Sequence, residues 1–533
     1  MHDLVIRGAR VADGTGAPLR AADVAVAGGR IVEVGRLTST SARRRIDADG
    51  LVVAPGFIDL HAHSDLILFE RPEHELKTRQ GVTTELLGQD GLSYAPATPQ
   101  ALAVMRDQIR SINGSPEIAY DWTTVAGYLD RLAAARPAVN TAYLVPHGIL
   151  RLSVLGMADR IATDAEIAEM GAMAASGMAD GALGLSTGLT YPPAQWSDTR
   201  EIVGIARAIA PYRGIYVTHH RDYGPRLVES VDEALTIGRE AGIPVHYSHF
   251  HISGAPWKGR AGEILDRLDA ARAAGQDVSL DTYPYLAGST FLGAWIPARV
   301  QAGTPDEVAA RLADPALRPG LEEEIERGPR TYVLCSWADF QIAGVASERN
   351  RDLEGLRIPE AAARRGLAVG RFICDLLVEE RMDVSILAFT GIEENVRRVM
   401  QHPTWTVGTD AILVGGSIHP RASGTYPTIL GRYVREEGVI SFERAIRAMT
   451  GAPADRIGLT DRGYVRPGLA ADLVLIDPET VAARSTYREP RIPPAGLPYV
   501  IVNGEPVVWA DAPTGARPGR VIRGDGKGRA HAR

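Results

Sequence analysis

Short apolar runs punctuated by glycine turns open the chain. DLVIRGARVADG (residues 3–14), DVAVAGG (23–29) and RIVEVG (30–35) have the length and β-branched content of strands. GYVRPGLAADLVLIDP (463–478) and YVIVNGEPVVW (499–509) repeat that style near the other end. The two ends are therefore expected to build one small β-sandwich together, from residues 1–55 and 456–511. Between them, apolar runs alternate with helix-period stretches such as 197–209 and 226–241, the pattern of a parallel sheet with helical crossovers. Eight runs qualify as its strands: GFIDLHAH, VTTELLG, TAYLVPHG, ALGLST, IYVTHH, PVHYSHF, VSLDTYPY and WTVGTD. That is the number required to close an α/β barrel of the (β/α)8 type, assigned to residues 56–287 and 351–455. The stretch between the seventh and eighth runs is too long for one crossover helix, so a small inserted domain is expected at 288–350. The Gly-, Arg- and Pro-rich end, 512–533, is expected to be a flexible tail.

Length agrees with several units, since 533 residues exceed what one simple core accommodates. With 45% hydrophobic and 23% charged residues and a formal charge of −7, the composition is that of a soluble enzyme and argues against nucleic acid or membrane as partner. No apolar run approaches the ~20 residues of a membrane span. Leu4, Val5 and Ile6 follow the first residues directly, without a basic leader, so a cytoplasmic location is expected. The two cysteines, Cys335 and Cys374, lie apart from any histidine cluster and read as buried small hydrophobes.

Histidine changes the picture. Of the thirteen in the chain, His61, His63, His219 and His249 fall at the C-terminal ends of predicted barrel strands, where barrel enzymes assemble their sites, and Asp410 ends the eighth. Residues i and i+2 of a strand share a face, so His61 and His63 can reach one ion while His219 and His249 approach from strands across the barrel. Imidazole with carboxylate suits Zn2+, one ion or two, and is compatible with Mn2+, Fe2+ or Co2+. His220 follows a candidate ligand directly, faces the other side of its strand and reads as structural.

APGFIDLHAHSD (54–65) is more specific than a bare H-x-H, and with it the sequence resembles the amidohydrolase superfamily. GVTTELLGQDGLSYAP (81–96), GALGLSTGLTYPP (181–193), VTHHRD (217–222), VHYSHFHISG (245–254), DTYPYLAGST (281–290) and HPRASGTYP (419–427) resemble the N-acyl-D-amino-acid deacylase (D-aminoacylase) branch, over essentially the whole chain. The resemblance implies metal ligation by His61, His63, His219 and His249, a general base and acid at Asp410, and a grip on the substrate carboxylate by Arg421. It also brings Tyr191 and Tyr283 near the substrate. A small carboxylate-bearing molecule is then the partner. Chemistry supports these roles: a carboxylate beside a metal can take and return a proton, and a guanidinium fork matches a carboxylate.

Two positions depart from the branch. Where it has a cysteine in a G-N-C-G turn, this chain has Gly88-Gln89-Asp90-Gly91, so Asp90 is proposed as a metal ligand in place of the thiolate, with Glu85 as the second candidate. Where it has S-H-H-K, this chain has Ser248-His249-Phe250-His251, so His251, a weaker and pH-dependent cation, stands where a lysine would help hold the substrate. Other superfamily members bridge their metals through a carbamylated lysine; Lys77, Lys258 and Lys527, the only lysines, lie on no predicted barrel strand. Hydrolysis of a linear amide, an N-acyl-D-amino acid, is the leading expectation. A cyclic-amide hydrolase of hydantoinase or dihydroorotase type is the alternative, and a non-catalytic barrel scaffold the second.

Overall fold

The computed structural model describes residues 1–37, 39, 41–329 and 333–532. Its centre is the expected parallel barrel. The strands are β1 (Phe57–Asp59), β2 (Val82–Leu87), β3 (Asn140–Tyr143), β4 (Gly184–Gly188), β5 (Ile215–His219), β6 (Val245–Tyr247), β7 (Val278–Thr282) and β8 (Trp405–Val407). Parallel pairing runs from β1 through β2 to β3, and from β4 through β5, β6 and β7 to β8. Leu144 interrupts β3, whose continuation Val145–Pro146 pairs with β4. β8 returns to β1 through a parallel bridge between Ala62 and Ala411 and a hydrogen bond from the Leu60 N–H to the Val407 carbonyl, 3.4 Å. β2 is buried along its whole length, as a strand covered on both faces must be.

The crossover helices form for local reasons. Helix Thr199–Ile209 is capped by the Asp198 side chain, which accepts from the Glu201 N–H, and turns Ile202, Ile205, Ala206 and Ile209 towards the barrel. Helix Leu227–Ala241 ends at Gly242, whose left-handed φ of 69° closes the last turn.

The two chain ends meet in a pair of sheets. One contains His2–Arg7, Asp23–Ala27, Arg30–Gly35 and Ala42–Asp47. In the other, Val52–Pro55 pairs antiparallel with Leu473–Ile476. Leu4, Ile6, Val24, Val53, Leu473 and Ile501 fill the space between them.

Two segments differ from expectation. The insertion runs past residue 350: Val384–Phe389 is the central strand of an antiparallel sheet with Ala287–Phe291 on one side and Phe340–Val345 on the other. Residues 330–332 of the expected insert lie outside the described residues. The segment expected to be a flexible tail is instead ordered. Ile522–Gly524 pairs with Ala530–Ala532, Thr141 donates to the Arg520 carbonyl at 3.0 Å, and Ile522 and Ala530 pack with Ile58, Leu86, Ala142 and Ile215 of the barrel. A few small apolar residues among the glycines and arginines suffice, because the barrel leaves them a lined depression to fill. Arg533 lies outside the described residues. Among the described residues no helix is long and apolar enough to cross a membrane.

Truncation after Pro518 removes buried Val521, Ile522 and Ala530. At about 1.5–3 kcal/mol for each large side chain, stability in urea is expected to fall by ~3 kcal/mol or more. An unchanged unfolding midpoint would show that the segment contributes nothing.

Candidate metal centre

The residues beyond the C-terminal ends of β1, β2, β5, β6 and β8 converge. His61 and His63 leave β1 two residues apart, with their Nε2 atoms 3.3 Å from each other. Asp90 follows β2 in a turn with φ of 78° at Gly88, 57° at Asp90 and 66° at Gly91. Gly88 is required there, since a Cβ would collide with the Leu144 carbonyl oxygen. The turn is pinned by Asp65, which accepts from the Gly88 N–H at 3.0 Å, and by Ser186, which accepts from the Gly91 N–H at 3.0 Å and donates to the Gly88 carbonyl. His219 ends β5 and His249 follows β6, with His219 Nδ1 2.9 Å from His249 Nε2. Asp410 follows β8 and donates its N–H to the His61 carbonyl at 2.8 Å, tying the last strand to the first across the centre.

Asp90 is the hub. Its Oδ2 lies 3.5 Å from His61 Nε2, 3.5 Å from His63 Nε2, 3.6 Å from His249 Nε2 and 3.9 Å from His219 Nδ1. Asp410 Oδ1 lies 3.2 Å from His63 Nε2 and 3.7 Å from His61 Nε2. The ligand atoms thus fall into two sets that share one carboxylate: His61, His63, Asp90 and Asp410, and Asp90, His219 and His249. All six residues are buried.

Electrostatics favours a cation between them. Burial works against protonation of His63, yet Asp410 and Asp90 outweigh it and raise its pKa to about 10. Burial and the neighbouring His249 push His219 down to about 3. Burial would raise the Asp90 carboxyl, but His61 and His249 hold it well below the usual range. The donor set, nitrogen and carboxylate oxygen with Asp90 Oδ1 left without a hydrogen bond, fits a divalent ion.

The other candidates separate cleanly. Glu85 is not at the centre: its Oε2 lies 3.0 Å from His74 Nε2 and its Oε1 2.7 Å from Lys77 Nζ. His220 faces away from the centre and bonds Ser230 at 2.9 Å. A cavity of about 100 Å3 opens on His63, Asp90, His219, His249 and Asp410, and Tyr191, Tyr283 and His251 stand on its walls. The Tyr191 hydroxyl meets Thr290 Oγ1 at 3.0 Å, and burial raises both phenols, so they stay protonated at neutral pH. His251 Nε2 meets Thr282 Oγ1 at 3.0 Å, and its ring centre lies 4.4 Å from that of Tyr283, with the two planes tilted by 39°. Burial pushes His251 down to about 3, so at neutral pH it is uncharged rather than the weak cation expected.

Arg421 is fully buried behind this wall. Its Nη1 lies 2.9 Å from Asp410 Oδ2, its guanidinium sits 4.5 Å from the Tyr283 ring centre, and none of its side-chain nitrogens has hydrogen-bond geometry to a partner. Burial would raise Asp410, but Arg421 and the imidazoles hold it below the usual carboxylate range.

The sequence reading missed what aims these groups. Lys77 Nζ is buried between Asp59 Oδ2 (2.6 Å), Glu85 Oε1 (2.7 Å) and Thr409 Oγ1 (2.8 Å). Asp59 Oδ1 accepts the N–H groups of His61 (3.2 Å) and Thr409 (2.8 Å). Asp281 does the same for β6, accepting the His249 N–H at 2.8 Å while its other oxygen meets His246 Nε2 at 2.8 Å. Gly408 must be glycine because a Cβ would lie 2.6 Å from His61 Cβ and 2.5 Å from Asp281 Oδ1. A charged residue inside an apolar strand run, as in GFIDLHAH and VSLDTYPY, was the available signal.

Lys77→Met leaves Asp59 and Glu85 buried without their cation. A loss of about 3–5 kcal/mol in unfolding free energy is expected, with reduced metal content in the purified protein. Wild-type stability and metal content together would remove this network from the support of the site.

Comparisons with known proteins agree on one family. The amidohydrolase family model matches residues 44–308 and 360–508. A D-aminoacylase of Alcaligenes xylosoxydans xylosoxydans is 38% identical over 523 residues, 98% of this chain and 97% of the relative. A D-aminoacylase structure described for its binuclear metal centre superposes with a TM-score of 0.81 at 36% identity, covering 98% of this chain and 99% of the other. The N-acyl-D-glutamate deacylase of Bordetella bronchiseptica, solved with zinc and a phosphonate inhibitor, gives a TM-score of 0.83 at 34% identity, with the same coverage.

Proposed function

The chain belongs to the amidohydrolase family, and on that premise we propose that it is a metal-dependent hydrolase of N-acyl-D-amino acids, releasing a carboxylate and the free D-amino acid. The observation that carries the reading is the convergence of His61, His63, His219, His249 and Asp410 on Asp90, in two ligand sets with one shared carboxylate. The D configuration rests on the relatives.

In this reading His61, His63, Asp90, His219, His249 and Asp410 would hold zinc, as one ion or two, with Asp90 taking the place of a thiolate. A divalent ion supplies Lewis acidity there, lowering the pKa of water and polarising the scissile carbonyl. Asp410 does the proton work. Arg421 keeps it ionised, so it can accept the proton of the attacking water and return it to the departing amine nitrogen. Arg421 is also the group to meet the substrate carboxylate, because its buried guanidinium pairs with Asp410 through Nη1 and a planar fork has further nitrogens to offer that ligand. Tyr191 and Tyr283, kept protonated by burial, are placed to donate to the carbonyl oxygen or to the carboxylate. His251 enters as a neutral hydrogen-bonding group on the same wall.

Incubation with racemic N-acetyl amino acids, followed by chiral chromatography, is expected to release the D enantiomer alone and to leave hydantoins intact. Release of the L enantiomer, or turnover of rings only, refutes the assignment. Two variants separate proton transfer from ligation. Asp410→Asn is expected to lower kcat by ~10³-fold with metal retained by elemental analysis, whereas Asp90→Ala is expected to lose metal as well. Near-normal turnover in the first, or full metal content in the second, contradicts the corresponding role.

A further inference from the structure

The Gly- and Arg-rich end of the chain also builds a cavity. On the barrel face opposite the metal centre it closes one side of a space of about 410 Å3, a volume suited to a small organic molecule. Much of the remaining wall comes from the N-terminal ends of the strands: Ile215 opens β5, Pro244 and Asp277 precede β6 and β7, and Thr404 precedes β8. The end segment contributes Gly524, Gly526, Gly528 and Arg529. Glycine is needed at 528, where φ is 82° and a Cβ would lie 3.0 Å from Arg213 Cβ. Arg529 is thereby brought beside Arg213, although the two are far apart in the chain.

Cation exceeds acid at this cavity. Among the described residues Arg213, Arg447, Arg456 and Arg529 line it against Asp277 and Asp455. Both carboxylates are taken, Asp277 by Arg456 and Asp455 by Arg447, each at 2.6 Å. Asp525, in the turn before Arg529, accepts the N–H groups of Lys527 and Arg529 at 2.7 and 3.1 Å. The charge in excess is that of Arg213 and Arg529, both exposed at the mouth. The floor has a different chemistry. Leu183, Ile215 and Ile457 are buried there, beside the hydroxyls of Ser279 and Thr406. Thr406 donates to the Leu280 carbonyl at 3.0 Å. Ser279 Oγ meets His246 Nδ1 at 2.7 Å; burial holds that imidazole below its usual pKa, and its Nε2 faces the Asp281 carboxylate at 2.8 Å, so Nδ1 is the acceptor and the serine gives its proton. Both floor hydroxyls have therefore spent their protons, and an anionic group gains nothing from them.

We infer that this cavity binds a small organic anion, with a carboxylate or phosphate head between Arg213 and Arg529 at the mouth and a hydrocarbon body against Leu183, Ile215 and Ile457. Guanidinium forks suit either head, and burial of methylene groups on the apolar floor favours a body behind it. The site is separate from the metal centre and independent of the deacylase reading.

Isothermal titration calorimetry of the metal-loaded, full-length protein tests it, with hexyl phosphate and heptanoate as probes beside inorganic phosphate and 1-heptanol. At least one of the first two is expected to saturate a single site at sub-millimolar concentration, and the tighter of them identifies the head. Phosphate alone and heptanol are each expected to bind about tenfold more weakly or worse. Arg213→Ala and Arg529→Ala replace exposed side chains outside the metal centre, so folding and turnover without the anion are expected to stay as in the wild type. Each is expected to weaken anion binding about tenfold or more, with Arg529→Lys, which keeps the charge, losing less. Failure of both anions to saturate, or heptanol bound as tightly as heptanoate, overturns the inference. So does an affinity unmoved in both alanine variants, which would place the anion at another site.

Discussion

A metal centre divided between the first and last strands of a closed sheet exists only if those strands are held in register, and here one buried ammonium does the holding. Lys77 reaches Asp59 on β1, Glu85 on β2 and Thr409 just beyond β8, at 2.6–2.8 Å. Burial opposes its charge, but the two carboxylates outweigh that and keep it protonated. With its own charge balanced, Asp59 is free to use its second oxygen on the N–H groups of His61 and Thr409, whose neighbours His63 and Asp410 face each other across the seam at 3.2 Å. Buried ion pairs of this kind add little net stability compared with well-packed hydrocarbon, and their value lies in geometry. What is fixed here is the spacing between proposed ligands that are hundreds of residues apart in the chain.

That dependence explains which parts of the site could be read from the sequence. His61, His63, His219, His249 and Asp410 were legible because period-two strands and their C-terminal ends can be located from apolar runs alone. Asp90 was legible as a departure, and its turn is built for it: glycines on both sides supply the left-handed backbone, and an aspartate tolerates that conformation itself. Lys77 was weighed only as a bridging ligand and set aside, and its distance from the strands hid its structural part. The same holds for Asp59 and Asp281, whose partners are set by folding and not by spacing. Arg421 was identified through a motif; that it meets Asp410 behind the cavity wall depends on the helix Arg421–Thr428 beginning there, which no local pattern revealed.

The fold was legible in its periodic parts and not at its margins. A parallel barrel announces itself by alternation. The limits of the insertion did not, because Val384–Phe389 reads as any buried apolar strand, and only antiparallel pairing with Ala287–Phe291 and Phe340–Val345 assigns it there. The end of the chain was misjudged for a related reason. Composition weighs glycine, arginine and proline as lacking anything to bury, whereas Val521, Ile522 and Ala530 are three residues aimed at one surface, and burial depends on where they point.

Backbone conformation carries the remaining part of the aim. Asp90, His249 and Asp410, drawn from both ligand sets, all have positive φ, of 57°, 33° and 50°. For the aspartates this costs little, but a histidine in that region is strained, by something on the order of 1–3 kcal/mol, and persists only where its surroundings leave no alternative. For His249 those surroundings are Asp281, which receives its N–H, and His246, which holds the other oxygen of Asp281. The side chains are therefore aimed chiefly by bends in the main chain just past each strand, and each bend is locked by a carboxylate one layer below. Replacing one of the proposed ligands removes one group from the centre. Loosening the layer beneath it releases the bend, and with it the shared approach of four strands to Asp90.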